Sequence, residues 1–363
     1  MDTTLFAKYM KQLEVDGYVV IKNVVSAEKA EDYASRFWDY LESLSVEKKI
    51  DRNNPKSLVG EHWISTLHGI IKNYNIGHAQ FVWDVRDEDN IVSIFEQYWK
   101  TRDLLVSFDG ACIIRPSAGG SRSKWAHVDE APVLKIKEKT DSKFKEVRNF
   151  PCVQGFLNLK PCGPNDGGLV VWEGSHKGHD QFFVDKGDMN EEERKKYGIK
   201  KSSFAWKDHT ENWYKFDEDN QVDAAHLKKY NKKKVCCDAG DFVMWYSKTV
   251  HYAEAIDSKI NTNPSAHRMC VYVCMLPKKY ATENDLKKKK KALQELRTTS
   301  HWPCIKLKLN PLHPRTYGNE KMLTNFILPT TYPTLTDRMK KLAGVASNFS
   351  FSEQKGIKRK LEK

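Results

Sequence analysis

The chain has 363 residues, of which 40% are hydrophobic and 11% aromatic, and its formal net charge is +12 at pH 7. This composition excludes a mainly disordered chain and suffices for one large core, so we expect a single domain. The positive charge is concentrated in residues 228–234, 287–291 and 350–363, which we interpret as solvated surfaces rather than as a nucleic-acid site.

The N-terminal part, about residues 1–100, is predicted to be mainly helical. Apolar residues recur at helical spacing before the Asp16-Gly17 turn, and a short strand is expected after it. Ser26 is a candidate N-cap for the next helix, and a further amphipathic helix is expected at about residues 90–100.

From about residue 104 to 276 the pattern changes to short apolar or alternating runs separated by Gly, Pro and Asn turns. Such runs, without regular helices between them, predict an antiparallel sandwich or jelly roll. The runs lie at residues 104–115, 151–159, 169–172, 241–246 and 268–276. A polar stretch at about residues 185–235 interrupts them, and we interpret it as an insertion. The predicted fold is therefore mainly β with flanking helices.

The C-terminal part is predicted to pack around this β core. Thr282 and Asp285 have the spacing of a capping box, which predicts a helix running to about Arg297. Repeated prolines indicate that the remainder, to about residue 350, is an irregular wrapping segment. Residues 351–363 form a basic tail.

The cysteines carry information about the cellular compartment. Eight are present, and none forms a Cys-x-x-Cys motif. No secretory signal opens the chain, and no apolar stretch approaches the roughly 20 residues of a membrane helix. We therefore expect reduced, mostly buried thiols in a cytoplasmic protein that does not enter a membrane.

His127 and Asp129 form a candidate metal-binding pair. Residues two apart on a strand point to the same side, so an imidazole and a carboxylate can approach one ion. A second histidine from a distant strand would complete a face of three ligands, the arrangement typical of Fe(II) oxygenases. His209 and Glu211 have the same spacing, but they lie in the polar stretch without a strand around them, so we interpret them as surface residues.

Four sequence blocks support a more specific interpretation. In chain order they are Asp16-Gly-Tyr-Val-Val-Ile-Lys-Asn-Val, Trp125-Ala-His-Val-Asp-Glu, Asp166-Gly-Gly-Leu-Val-Val-Trp-Glu-Gly-Ser-His-Lys-Gly and Gly240-Asp-Phe-Val-Met-Trp-Tyr-Ser-Lys-Thr-Val-His. Together they resemble the phytanoyl-CoA dioxygenase family over roughly residues 13–276. The resemblance implies a double-stranded β-helix (jelly-roll, cupin-like) core, with iron bound by His127, Asp129 and His251. It also implies 2-oxoglutarate and O2 as cosubstrates, with ascorbate as a candidate reductant.

The resemblance also assigns residues to the cosubstrate. Members of the family usually pair an arginine after the second histidine with the far carboxylate of 2-oxoglutarate, and Arg268 fits because it begins an apolar strand. It lies seventeen residues after His251, a longer gap than expected, which a looped-out turn at residues 261–265 would absorb. Gln154 is implied as a second cosubstrate residue, while Ala253 stands where the family often has a hydroxyl.

We therefore predict an Fe(II)- and 2-oxoglutarate-dependent dioxygenase that hydroxylates a small organic substrate and releases succinate and CO2. Asp129 favours hydroxylation, since halogenating relatives lack this carboxylate. Arg115, Arg122 and Lys124 favour an anionic substrate. The C-terminal segment around His301 lies outside the resemblance, and we expect it to shape the pocket.

Three alternatives are left open by the sequence. A jelly-roll enzyme could use iron or manganese without 2-oxoglutarate. A non-catalytic jelly-roll protein could bind anionic or nucleic-acid partners through its Lys runs. A scaffold could also have kept the fold and lost the chemistry. The presence of both a complete ligand triad and Arg268 favours the oxygenase.

Overall fold

The structure, a computed structural model, describes residues 2–45, 50–58, 63–117, 125–130, 152–188, 213–263, 266–314 and 331–351. Its α-helices are α1 (Thr3–Asp16), α2 (Ala27–Ser43), α3 (Gln80–Arg86), α4 (Asp89–Trp99), α5 (His179–Asp188), α6 (Gln221–Leu227), α7 (Glu283–Gln294) and α8 (Asp337–Ala343). Its β-strands are β1 (Tyr18–Ile21), β2 (Ile70–Ile71), β3 (Leu104–Val106), β4 (Ala111–Ile114), β5 (Pro116–Ser117), β6 (His127–Val128), β7 (Val153–Asn158), β8 (Gly168–Trp172), β9 (Tyr214–Lys215), β10 (Lys232–Lys234), β11 (Phe242–Tyr246), β12 (His251–Glu254), β13 (Ile256–Asp257), β14 (Arg268–Val273) and β15 (Met275–Pro277).

Two antiparallel sheets form the β core. The larger has six strands in the order β1-β11-β7-β14-β4-β2, and the smaller has five in the order β10-β8-β12-β6-β9. Most neighbouring strands are distant in sequence and antiparallel, as in the pairing of β11 with β7 and of β12 with β8. This arrangement confirms the predicted double-stranded β-helix core with flanking helices.

Alternating side chains give the six-stranded sheet two different faces. On β7, Val153 and Leu157 belong to the large core that the N-terminal helices share with this sheet. Phe156 points the other way and packs between the sheets with Val171 and Trp245. A shift of one residue in strand register would exchange these faces, so the hydrophobic pattern fixes which residues line the interior.

The N-terminal helices and their caps agree with the predictions from sequence. The Ser26 hydroxyl accepts a hydrogen bond from the Lys29 N–H at 3.2 Å and caps α2. Helix α7 begins with the capping box of Thr282 and Asp285, although it ends at Gln294. Helix α3 is not predicted by periodicity, because it is buried on almost every side and has no polar face.

The structure corrects the interpretation of the polar stretch as an insertion outside the β core. From residue 213 onward it contributes β9 and β10 to the five-stranded sheet and α6 to an apolar cluster. Strand β10 consists only of lysines, and the Lys232 ammonium lies 5.3 Å from the Trp172 ring and 4.9 Å from the Tyr252 ring. Lysine stems can cover apolar surface at a sheet edge, so polar composition conceals this strand.

The Lys run at residues 287–291 is not entirely solvated, contrary to expectation. It lies on α7, where Lys289 is fully buried and the other four lysines are exposed. The Lys289 ammonium donates to the Val106 carbonyl and lies 3.8 Å from the centre of the Phe108 ring. Burial lowers the pKa of Lys289 to about 7. One lysine of the run therefore belongs to the core.

The remaining expectations concern cysteines and membranes. All eight cysteines are free thiols, and all except Cys236 are buried, as the sequence predicts for mostly buried thiols. None of the helices in the described part of the chain combines the length and the apolar character needed to cross a membrane.

Candidate metal centre and active site

His127, Asp129 and His251 come together as the sequence predicts. The two histidines are register partners on neighbouring strands β6 and β12, and Asp129 follows β6 directly. Asp129 Oδ1 lies 3.6 Å from His127 Nε2, and its Oδ2 lies 3.3 Å from His251 Nε2. Ligand atoms of all three residues lie within 4.8 Å of one another, so one ion can bind them together.

Each histidine is held with its Nε2 atom toward the shared position. Nδ1 of His127 contacts the Trp125 carbonyl at 3.0 Å, and Nδ1 of His251 contacts the Thr249 carbonyl at 2.9 Å. These carbonyls accept a hydrogen bond from Nδ1–H, which leaves Nε2 free as a ligand. Burial, together with the neighbouring His251, lowers the pKa of His127 to about 3, so its neutral, metal-binding form prevails at pH 7.

Asp129 is held by Gln154 through its carboxylate and by Ser247 through its backbone N–H. Gln154 Nε2 donates to Asp129 Oδ2 at 2.9 Å and also to the Ser247 hydroxyl at 3.1 Å. The Asp129 N–H donates to the Ser247 carbonyl at 2.9 Å. Burial would raise the pKa of Asp129, but the imidazoles of His127 and His251 outweigh it and hold the pKa well below its usual range. Gln154, expected beside the cosubstrate, thus contacts a candidate ligand.

The Arg268 side chain is a cation buried in the same interior as the His127, Asp129 and His251 triad. Only 3% of its surface is exposed, and its Nη1 atom has no hydrogen-bond partner among the described residues. The guanidinium lies 5.2 Å from the centre of the Phe156 ring. A buried donor without a partner is costly, and a bound carboxylate would satisfy it with a charge-assisted hydrogen bond. Arg268 therefore fits the far carboxylate of 2-oxoglutarate.

Aromatic side chains connect Arg268 with the triad. The Phe156 ring lies 5.8 Å from Trp245, and Trp245 lies 5.5 Å from the His251 ring. Between His251 and Arg268 the chain forms β13, which pairs with β5, before it returns to the larger sheet. The residues of β13 therefore account for part of the long separation in sequence between His251 and Arg268.

Comparison with known proteins agrees with this geometry. The model of the phytanoyl-CoA dioxygenase (PhyH) family matches residues 13–261, a span that contains the complete triad. The chain belongs to the phytanoyl-CoA dioxygenase family. It is 29% identical over 305 residues to Ava biosynthesis cluster protein O of Aspergillus versicolor, covering 82% of this chain and 86% of that protein. The resemblance seen in the sequence is confirmed, and with it the class of iron- and 2-oxoglutarate-dependent oxygenases.

Solved structures show the same fold in more distant proteins. Hypothetical protein JW0805 from Escherichia coli superposes with a TM-score of 0.57 at 15% identity, covering 93% of this chain and 82% of that one. GlcNAc Inducible Gene 2, GIG2 (DUF1479) from Candida albicans has a TM-score of 0.56 at 12% identity, covering 95% and 77%. At these identities the likeness establishes a shared fold and nothing about activity.

The site of this phytanoyl-CoA dioxygenase family member also contains stacked aromatic rings. The Trp125 ring stacks on His127 with centroids 4.5 Å apart, and the His68 ring stacks on Trp125 at 4.0 Å. Trp125 belongs to one of the sequence blocks, whereas nothing in the sequence around His68 indicates its position. The stack covers one face of a candidate ligand and shields it from water.

His301 reaches the site from the C-terminal segment, beyond the residues that the family model matches. It is close enough to Asp129 and to the Cys152 thiol to interact electrostatically with both. Its Nε2 atom is buried and has no partner in the described part of the chain. The segment was expected to shape the pocket, but without periodicity around His301 the sequence does not select this residue.

Of the other residues considered from sequence, Arg115 lies in the described part of the chain. The Arg115 guanidinium lies 4.2 Å from the Trp63 ring, and burial lowers the pKa of Arg115 to about 10. Arg122, Lys124 and His209 lie outside the described residues. Among the three cations expected at an anionic site, Arg115 is the one that lies within the described residues.

Proposed function

We propose that this protein is an Fe(II)- and 2-oxoglutarate-dependent dioxygenase that hydroxylates a small organic substrate and releases succinate and CO2. The observation that carries the proposal is that three ligand atoms converge in the same interior as the buried Arg268 guanidinium, whose Nη1 atom has no partner among the described residues. Family membership supports the oxygenase class. Hydroxylation as the outcome, and the individual roles of the residues, are our inference.

His127, Asp129 and His251 would hold the iron, since two imidazoles and one carboxylate are the ligand set typical of Fe(II) oxygenases. Iron bound there supplies oxidative chemistry that is coupled to decarboxylation of 2-oxoglutarate to succinate. The backbone carbonyls behind both imidazoles fix the ring orientations before metal arrives, so binding needs little reorganisation. Asp129 occupies the carboxylate position of the triad, which favours hydroxylation over halogenation.

Arg268 would bind the far carboxylate of 2-oxoglutarate through paired hydrogen bonds. Gln154 would then be a positioning residue, because its amide donates to Asp129 and to Ser247. Phe156, Trp245 and other aromatic residues around the interior would exclude water from the reacting atoms. An anionic substrate is the finer form of the proposal, supported by the half-buried Arg115 guanidinium over Trp63.

Anaerobic titration tests the proposal directly. Fe(II) and 2-oxoglutarate together should give the purified protein a weak visible absorption that neither gives alone. His127→Ala should lose this absorption and most of the iron affinity, since one of three ligands is removed. His209→Ala is the matched control, because His209 and Glu211 repeat the spacing of His127 and Asp129 in the sequence but lie in the polar stretch. A His127→Ala protein that binds iron as tightly as the parent chain contradicts the ligand assignment.

Slow conversion of 2-oxoglutarate to succinate distinguishes the proposed dioxygenase from the alternatives that the sequence leaves open. With Fe(II), ascorbate and oxygen, the protein should convert 2-oxoglutarate to succinate even without a substrate. An iron or manganese enzyme independent of 2-oxoglutarate would bind metal and produce no succinate. A scaffold that lost the chemistry would produce none with any candidate substrate.

A further inference from the structure

Two buried thiols touch next to the candidate metal centre. Cys152 directly precedes β7, and Cys274 lies between β14 and β15. Their Sγ atoms are 3.6 Å apart, and the residues are 0% and 1% exposed. Because a disulfide has its sulfur atoms about 2 Å apart, an approach of roughly 1.6 Å would join them.

The surroundings of Cys152 favour reaction at its sulfur. Burial raises the pKa of the Cys152 thiol, but the neighbouring Cys274 thiol and His301 imidazole outweigh it and lower the pKa to about 6. The thiolate is the nucleophilic form of cysteine. The Cys274 sulfur lies 3.1 Å from the Val153 carbonyl oxygen and 3.6 Å from the Cys152 sulfur, so its single S–H has both acceptors within reach. One activated thiol and one adjacent partner are thus already in place.

The backbone of Cys152 is bonded to the residues that position Asp129. The Cys152 carbonyl accepts from the Ser247 N–H at 2.7 Å, and its own N–H donates to Glu130 Oε2 at 3.2 Å. Ser247 in turn accepts from the Asp129 N–H and from the Gln154 amide. A displacement of Cys152 is therefore transmitted to the Asp129 carboxylate through hydrogen bonds that are already formed.

We propose that Cys152 and Cys274 are an oxidation site at which a peroxide forms a disulfide and displaces Asp129 from its metal-binding position. The Cys152 sulfur attacks hydrogen peroxide, so an S–O bond forms, the O–O bond breaks, and one water leaves with the thiol proton. The Cys274 sulfur then attacks the sulfenic sulfur, the S–S bond forms, and a second water leaves. Two thiols lose two electrons, and the peroxide is reduced to two water molecules.

Mass spectrometry of the full-length, iron-free protein tests the disulfide itself. Exposed Cys236 is first blocked with N-ethylmaleimide, and hydrogen peroxide is then added, since it is small enough to reach buried thiols. A non-reducing digest should contain the peptide that joins Cys152 to Cys274, and dithiothreitol should remove it. Absence of this peptide while other cysteines become sulfinic or sulfonic acids overturns the proposal.

Iron affinity tests the consequence at Asp129, a part of the proposal that rests on the proposed function. Disulfide formation should weaken Fe(II) binding by about tenfold or more, the range seen when groups behind metal ligands are removed. Cys152→Ser and Cys274→Ser should bind iron as the parent does and should be insensitive to peroxide. Cys304 is a buried thiol of the same cluster, and the Cys304→Ser protein should remain sensitive to peroxide.

Unchanged iron affinity in the disulfide-linked protein refutes the coupling to Asp129. Failure of the reduced parent to bind iron refutes both the coupling and the proposed function, while the linked peptide still decides the disulfide.

Discussion

At the scale of single residues, both candidate histidine ligands are oriented by the same local device. His127 and His251 each hydrogen bond through Nδ1 to the carbonyl of the residue two positions earlier. The device needs no particular side chain, because a backbone carbonyl is present at every position. It explains why the two rings meet across paired strands with their Nε2 atoms toward Asp129.

The sequence predicts these residues unequally well. His127 and Asp129 follow from strand alternation, and His251 from the family resemblance. The sequence predicts a strand at Gln154, but the contact of its amide with Asp129 depends on the fold of two distant segments. His301 was not singled out as a site residue, because only the folded C-terminal segment brings it near Asp129.

Arg268→Lys should weaken 2-oxoglutarate binding and leave iron binding unchanged. Lysine keeps the charge but loses the paired geometry, and one charge-assisted hydrogen bond contributes about 1.5–3 kcal/mol. The dissociation constant of 2-oxoglutarate should therefore rise roughly tenfold to hundredfold. Visible titration of the Fe(II) protein measures it, and Arg115→Lys is the matched control. A change in iron affinity without cosubstrate would place Arg268 in the frame of the metal site instead.

Gln154→Leu should reduce iron affinity about tenfold to hundredfold, because the amide that donates to Asp129 is lost. Leucine has a similar size, so packing against the interior is retained. Iron and 2-oxoglutarate affinities are measured separately by titration. If Gln154 acted only on the cosubstrate, the substitution would raise the 2-oxoglutarate requirement and leave iron affinity unchanged.

At the scale of elements, hydrophobic patterning predicts the central strands and misses the lysine-rich ones. Strands β7, β11 and β14 are mainly apolar and almost entirely buried, whereas β10 is a row of lysines at a sheet edge. The charges of β10 are compensated locally, since Lys233 lies 3.5 Å from Glu173 and Lys234 lies 2.8 Å from Glu254. These ion pairs argue against this run as a site for nucleic acid.

Helix α7 provides an internal comparison between buried and exposed lysines. Replacing Lys287, Lys288, Lys290 and Lys291 together by glutamine should change the free energy of unfolding by less than about 0.5 kcal/mol per site and leave succinate formation unchanged. Lys289→Gln alone should cost about 1–3 kcal/mol, because the Val106 carbonyl loses a buried donor. Urea denaturation measures both. A quadruple variant that folds normally but loses turnover would revive the anionic-partner alternative.

At the scale of the whole molecule, the C-terminal segment joins the N-terminal helical part to the β core. The Gly77 N–H donates to the Thr298 hydroxyl at 3.3 Å, and the Phe108 N–H donates to the Thr299 hydroxyl at 3.1 Å. His78 Nε2 contacts the Arg297 carbonyl at 3.0 Å. These contacts join residues about 190–220 positions apart, so local sequence patterns cannot predict them. The segment that leads to His301 is therefore bonded both to the N-terminal helical part and to the residues that follow β3.

His78 makes the stability of this junction dependent on pH. Burial, with a further contribution from Arg86, lowers the pKa of His78 from 6.5 to about 3. Between these values the unfolded chain binds the proton and the folded chain does not. The free energy of unfolding should thus be unaffected by His78 above pH 6.5 and should fall as the pH decreases from there toward 3, by up to about 1.4 kcal/mol per pH unit.

The His78→Gln substitution should make this decrease less steep, because glutamine keeps a donor for the Arg297 carbonyl but does not titrate in this pH range. Urea denaturation between pH 7 and 5 measures the two slopes, with His209→Gln as the control. Equal slopes for His78→Gln and the parent chain would mean that His78 takes up its proton equally in the folded and the unfolded protein, which its burial and the charge of Arg86 oppose.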